Sequence, residues 1–273
     1  MSVDLDRYFA RIGYAGPRKN SLTTLCRLHE LHPQAIAFEN LDPLLKQPVR
    51  LDPASLQAKL VDGGRGGYCF EHNALFAYVL RALDYKVREG TARVRWGVPP
   101  DRTTPRVHSL LFVEIEGETY LADVGFGGNV LTAPLRLDSR EAQETPHESF
   151  RLVEEDDGHL VQEAQINGAW TPLYAFDFSY THPVDHEMAN WFTSAHPKSF
   201  FANSLMGARC EPGVRYALHD SQLAVHSLRR GTEKKNLASV RELREALTDL
   251  FKLRLDRLDG LDPALATVAA RAA

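Results

Sequence analysis

Arg65-Gly66-Gly67-Tyr68-Cys69-Phe70-Glu71-His72-Asn73 constrains this chain more than any other stretch. Two glycines run up to a cysteine, and a helix-compatible run, Phe70 to Leu83, follows it. Glycine allows the tight backbone that delivers a side chain to a helix start. A thiol there meets the positive end of the helix dipole and N–H groups without intrahelical acceptors. Both favour the thiolate, the reactive form of cysteine. The stretch reads as a presented nucleophile. Against this stands the ordinary fate of a lone cysteine, which is buried and inert. A nucleophile needs a base, and the base needs an orienting group.

The chain offers both. Val107 to Ile115, with His108 near its start, is rich in β-branched and aromatic residues and reads as a strand. Glu118 to Gly125 reads as another, with Glu116-Gly117 as the hairpin break, although glutamate is a poor residue for positive φ. If Ile115 pairs with Glu118, then His108 faces Gly125 and Leu110 faces Asp123. His108 and Asp123 then lie diagonally on one face, within hydrogen-bonding reach. An odd-length loop would break this parity. The implied triad is Cys69 as nucleophile, His108 as base and Asp123 as the group that fixes the imidazole. Its order, with His and Asp on neighbouring strands, resembles the papain and transglutaminase-like arrangement. His72, one helical turn after Cys69, is the rival base but has no evident orienter. His72 and Asn73 are given structural or hydrogen-bonding roles. Cys26 and Cys210 lack a glycine-led helix start and read as packing residues.

Several stretches together resemble the arylamine N-acetyltransferases. Arg65 to Asn73 is similar to that family's signature, and Phe38-Glu39-Asn40-Leu41 to its early motif. His108-Ser-Leu-Leu matches its histidine strand, and Leu121-Ala-Asp123-Val-Gly-Phe126-Gly-Gly128 its aspartate strand and glycine loop. Asp185 to Pro197 resembles the segment entering the last domain, and Tyr8 to Tyr14 fits the family's start. The resemblance covers nearly the whole chain. It implies acetyl transfer from acetyl-coenzyme A to arylamines, arylhydrazines or N-hydroxyarylamines, by a ping-pong route through an acetylated cysteine, in xenobiotic metabolism. It implies that Phe38, Val94, Phe126 and Phe201 line the acceptor site. It places Gly127 and Gly128 near the coenzyme A pyrophosphate, where glycine lets amides approach phosphate. Backbone N–H groups of Cys69 and near Val94 are its candidate oxyanion donors. Read by themselves, the phenylalanines are ordinary core and the glycine loop an ordinary turn, neither Walker A nor Rossmann. Arg65 and Glu39 are expected to pair and brace the cysteine loop.

Charge and composition narrow the partners. With 273 residues, 44% hydrophobic, the chain can bury a sizeable core in one unit or two to three subdomains. A net charge of −4 gives no basic excess for nucleic acid. Anionic coenzyme A must then rely on local amides and a few cations. Three cysteines make no complete set of disulfides, and Met1 to Asp6 lacks a basic start and an apolar run. No membrane span is expected, and a reducing cytoplasm suits a reactive thiol. His29-Glu30-Leu31-His32 and His182 to His186 lack zincin spacing, and Pro183 spoils a helical ligand face, so no metal is assigned.

The expected fold is α+β in three parts: a helical domain over 1–83 carrying the nucleophile, a β-barrel over 84–190 carrying His and Asp, and an interdomain segment with an α/β lid over 191–273. Ser21 is expected to cap a leucine-faced helix, and Pro53 to start another. Thr91–Trp96, Phe150–Val153 and Trp170–Phe176 read as barrel strands, and Pro99–Arg106 as an exposed loop. Strands near Gly213–Arg230 precede an amphipathic helix, Ser239–Leu250, with Leu243, Leu247 and Leu250 on one side. The alanine-rich 262–273 is a helix or a frayed tail. Two other readings remain open: a cysteine hydrolase using the same triad with water as acceptor, and a binding module that keeps the fold with a sluggish Cys69.

Overall fold

A computed structural model describes residues 3–99, 101–256 and 258–271. Met1 and Ser2 of the chain start, Pro100 of the 99–106 loop and the last two alanines of the tail lie outside the described residues. The helices are α1 Leu5–Ile12, α2 Leu22–Ala35, α3 Leu41–Leu44, α4 Pro53–Leu56, α5 Cys69–Ala82, α6 Pro183–Ala195, α7 Val240–Glu245 and α8 Leu261–Ala270. Wider π-helical turns continue α4 over Gln57–Asp62 and α7 over Ala246–Leu250. The strands are β1 Phe38–Glu39, β2 Lys86–Val94, β3 Arg106–Ile115, β4 Glu118–Ala122, β5 Leu135–Arg136, β6 Phe150–Glu154, β7 Leu160–Ile166, β8 Ala169–Phe176, β9 Met206–Glu211, β10 Val214–His219, β11 Gln222–Ser227 and β12 Gly231–Asn236.

Local chemistry sets many of these boundaries. Ser21 accepts from the Thr24 N–H at the start of α2, and Asp52 caps α4 with Pro53 at the first position. Ser239 caps α7, and Leu243 and Leu247 are buried while Leu250 is half-buried. Pro183 also opens a helix rather than breaking one, because a first-turn residue has no intrahelical N–H bond to lose. His186 is therefore helical and His182 is the residue before the helix. The turn between β3 and β4 holds Glu116 at φ 53° and Gly117 at φ 88°, the two positive angles of a tight hairpin. Glutamate accepts this strain because both flanking strands are fixed by burial.

Seven strands, in the order β5-β4-β3-β2-β8-β7-β6, curl into a nearly closed barrel. Gln143 bridges the open seam. Its backbone pairs with Phe150 of β6, and its side-chain amide exchanges two hydrogen bonds with the backbone of Arg136 in β5 (2.8 and 3.1 Å). The side chain thus stands in for the missing strand. Along β3 the residues alternate: Leu110 and Phe112 fill the barrel, while Leu111, Val113 and Ile115 face α1, α2 and α5. The pairing runs from Ile115 opposite Glu118 to Leu111 opposite Ala122, the register expected from the hairpin. Asp123 lies one residue beyond the strand end. The other sheet, β1-β9-β10-β11-β12, takes its edge strand from the N-terminal part: Phe38 pairs with Ala208 and Glu39 with Gly207. Its core likewise includes Ala37 and Leu41 alongside Leu218, Leu243, Leu247 and Phe251.

Candidate active site

Cys69 is the first residue of α5, behind an extended Tyr68. Glu71, three residues into the turn, reaches back to accept from the Tyr68 N–H (3.2 Å). The glycines leading to it are required by close approach. A Cβ on Gly66 would stand 1.9 Å from the Ala37 carbonyl oxygen. Gly66 N–H in turn donates to Glu39 Oε1 (3.3 Å). The same carboxylate holds Arg65 at 2.8 Å, and Arg65 also pairs with Asp42 at 2.8 Å. Lys59 completes the cluster with contacts of 2.6 Å to both Asp42 and Glu71. Buried Glu39 and Glu71 and half-buried Asp42 thus share two cations beneath the loop that leads to Cys69. Burial is the main force on Glu71 and pushes its pKa up to about 7 against the pull of Lys59.

His108 and Asp123 meet as the hairpin register requires, with Nε2 to Oδ2 at 2.7 Å and both side chains almost fully buried. Burial alone would push the imidazole down; the Asp123 carboxylate outweighs it, and with help from the Cys69 sulfur carries His108 up to about 10. For Asp123, burial is again opposed by His108 and by two N–H donors, and its pKa is lowered. Those donors are Asn73 Nδ2 and the Gly125 N–H, each 2.9 Å from Oδ1. The Cys69 Sγ sits 3.7 Å from the Val107 carbonyl, beside His108 on the same strand. Gly125 makes the approach possible, since a Cβ there would lie 2.9 Å from Cys69 Cα.

The expected aromatic residues divide between two walls. Phe126 lies edge-on to His108 with centroids 5.1 Å apart, and Tyr174 of β8 packs on both rings. Phe38 and Phe201 meet edge-on at 6.1 Å, and Phe201 also contacts Tyr68. Val94, at the end of β2, pairs with Tyr174. The N–H groups that follow it, Arg95 and Trp96, already donate to the Leu173 carbonyl (2.7 and 3.0 Å). Gly127 and Gly128 open a 3₁₀ turn packed against Phe38 and Ala217.

Four supporting residues escaped the sequence reading. His29 Nε2 accepts from the Asp123 N–H at 3.0 Å, and burial lowers its pKa to about 4. His32 joins Tyr8 to His72. Buried Arg215 pairs with half-buried Glu148 at 2.9 Å, and the same guanidinium donates to the carbonyls of Gly128 (3.3 Å) and Val130 (3.0 Å). That pair clamps the glycine turn between the barrel and β10. The signal for His29 and His32 lies in their spacing: both fall among the buried leucines of α2. Arg215 carries no such local sign. Among the described residues, no cluster of His, Cys, Asp or Glu could hold a metal ion, and no helix is long and apolar enough to cross a membrane.

Comparison with known proteins agrees along the chain's length. The profile of an N-acetyltransferase family matches residues 21–259. The arylamine N-acetyltransferase of Mycobacterium tuberculosis is 42% identical over 259 residues, covering 93% of this chain and 91% of the relative. A Salmonella typhimurium protein named arylamine N-acetyltransferase / N-hydroxyarylamine O-acetyltransferase is 37% identical, covering 93% and 90%. The solved Mycobacterium marinum arylamine N-acetyltransferase in complex with CoA superposes with a TM-score of 0.93 at 41% identity, covering 97% of this chain and 99% of that one.

Proposed function

The chain belongs to the arylamine N-acetyltransferase family, a family of acyltransferases, and from that premise we propose that it moves an acetyl group from acetyl-coenzyme A to aromatic acceptors through an acetylated Cys69. The acceptors are the nitrogen of arylamines and arylhydrazines and the oxygen of N-hydroxyarylamines. The observation that carries this reading is the buried 2.7 Å contact of His108 with Asp123, beside the thiol of Cys69.

The steps balance on these groups. Cys69 thiolate, paired with the His108 imidazolium, attacks the thioester carbonyl. The carbon–sulfur bond to Cys69 forms, and the oxyanion takes the Cys69 N–H, which has no intrahelical acceptor. Because the N–H groups after Val94 are engaged with Leu173, the Cys69 amide is the better placed of the two candidate donors. As the intermediate collapses, coenzyme A leaves as a thiol with the proton of His108. The arylamine, neutral near pH 7, then attacks the acetyl carbon. His108 takes its proton, and Cys69 departs as thiolate, restoring the starting pair.

Phe38, Val94, Phe126 and Phe201 are proposed to line the acceptor site. Gly127 and Gly128, held by Arg215, are proposed to meet the pyrophosphate. Glu39 and Arg65 are proposed as the brace of the nucleophile's loop. The three-part division at 83/84 and 190/191 belongs to the same reading; separate apolar clusters inside the barrel and the C-terminal sheet speak for it. A reducing cytoplasm is the setting in which the thiol stays competent.

Intact-protein mass spectrometry after mixing with acetyl-coenzyme A alone tests the reading. One acetyl adduct is expected on the wild type, none on Cys69→Ala, and added arylamine should discharge it. No adduct, with Cys69 still readily alkylated, would turn the assignment to a hydrolase or another acyl donor.

A further inference from the structure

Beneath the nucleophile's helix runs a chain of buried polar groups that the proposed chemistry does not use. Tyr8 Oη lies 2.8 Å from His32 Nδ1, His32 Nε2 lies 2.9 Å from His72 Nδ1, and His72 Nε2 lies 3.1 Å from the Ala37 carbonyl oxygen. All three side chains are almost fully buried. The proton positions follow from the end of the chain. A carbonyl only accepts, so His72 must carry its proton on Nε2. A neutral His72 then accepts at Nδ1, which puts the His32 proton on Nε2. His32 accepts at Nδ1, and Tyr8 donates. These tautomers are assigned from the network, and only this direction satisfies every member. Burial supports it by holding both imidazoles neutral: it lowers His72 to about 4 and His32 well below its ordinary range.

The group at the end of this chain is a junction. The Ala37 carbonyl also accepts from the Gly67 N–H at 3.3 Å, and it is the oxygen that forbids a side chain on Gly66. The next residue is Phe38, whose ring lies nearly parallel to that of His72, at 13° with centroids 6.3 Å apart. A void of about 10 Å³ borders Phe38, His72, Gly127 and Ala208. The Phe38 backbone is tied through Ala37, and its ring packs edge-on against Phe201 with His72 parallel beside it.

We propose that His72, oriented by His32 and Tyr8, is a positioning residue for the acceptor half of the reaction, holding the Ala37–Phe38 wall against the glycine approach to Cys69. The proposal rests on the reading of Cys69 as the acetyl carrier and of Phe38 as acceptor wall. It separates the two half-reactions. Donor attack needs Cys69, His108 and Asp123, none of which this chain touches. Acceptor binding needs Phe38, which it holds.

Two measurements test it. In the first, His72→Phe keeps a ring but removes both the donor to Ala37 and the acceptor for His32, whereas His72→Gln returns an amide N–H near the lost Nε2. Acetylation of Cys69 without acceptor should stay within about twofold of wild type in both. The arylamine KM should rise roughly tenfold in His72→Phe, the size expected when the bond that holds the Ala37 carbonyl is lost, and recover largely in His72→Gln. An unchanged KM, or equal losses in both half-reactions, would overturn the proposal. In the second, ¹⁵N NMR of the wild type should show His32 and His72 protonated on Nε2 alone, with no titration between pH 8 and 5. The opposite tautomers, or titration in that range, would overturn it even if the variants fail to fold. A wild type that forms no acetyl-enzyme would remove the transferase reading and this proposal with it. A wild type that acetylates, with His72→Phe behaving identically, would remove this proposal alone.

Discussion

At the scale of single residues, Asp123 is the most tightly determined member of the site. Its Oδ1 accepts from two N–H groups, Asn73 and Gly125, and its Oδ2 from His108. This arrangement dictates the outcome of Asp123→Asn. The two donors at Oδ1 require an oxygen there, so the new NH₂ must face the imidazole. His108 Nε2 is then forced to accept, and its proton moves to the nitrogen that should serve Cys69. Coenzyme A affinity should be unchanged, while the single-turnover rate of Cys69 acetylation falls by several orders of magnitude, on the order of 10⁴ as in the serine triad. A rate within tenfold of wild type would mean that another group orients His108. These residues were legible in the sequence because each carries its own local sign: glycines before Cys69, and strand alternation around His108 and Asp123. His29 and Arg215 were not, because their partners Asp123 and Glu148 lie far along the chain and nothing local marks the pairing.

Elements were legible where burial and turn chemistry agree. The β3–β4 hairpin has its expected register because a slip by one residue would turn Leu110 and Phe112 out of the barrel. α6 was not read from the sequence, where Pro183 counted only as a break in a ligand face; the first helical turn is where proline costs least. β12, wholly exposed and polar, carries no hydrophobic period at all. The loop before α5 depends on its ion cluster rather than on any period. Arg65→Ala would leave Glu39 buried with no cation at 2.7 Å and Asp42 with Lys59 alone. Breaking such a buried pair from one side costs about 3–5 kcal/mol. Chemical denaturation should show a loss of that size, with activity falling alongside because Glu39 also holds the Gly66 N–H. A variant with unchanged melting and turnover would exclude the brace.

Across the whole molecule, buried titratable groups set the response to acid. His29 and His72 are held at about 4, and His32 well below its ordinary range. Each stabilises the fold fully above about pH 6.5, where the unfolded chain is also neutral, and loses that contribution as pH falls towards the folded value. Glu71 acts oppositely: raised to about 7, it favours the fold below its ordinary 4.5 and loses that contribution as pH rises through 7. The displacements of His29, His72 and Glu71 amount to about 3 kcal/mol each at full extent, and His32 acts in the same direction as the other two histidines, so the histidines outweigh the glutamate. The melting temperature should therefore fall by several degrees between pH 7 and pH 5, and a flat profile would contradict the buried neutral histidines. His108, raised to about 10, contributes fully below 6.5 and loses its share only as pH climbs to 10. The pairing of β1 with β9 has a consequence on a different clock. A ribosome releases Cys69, His108 and Asp123 well before Ala208, the partner across from Phe38. During synthesis Cys69 therefore precedes the strand that pairs with β1, so an interrupted translation product would carry Cys69, His108 and Asp123 with no β9 beside Phe38.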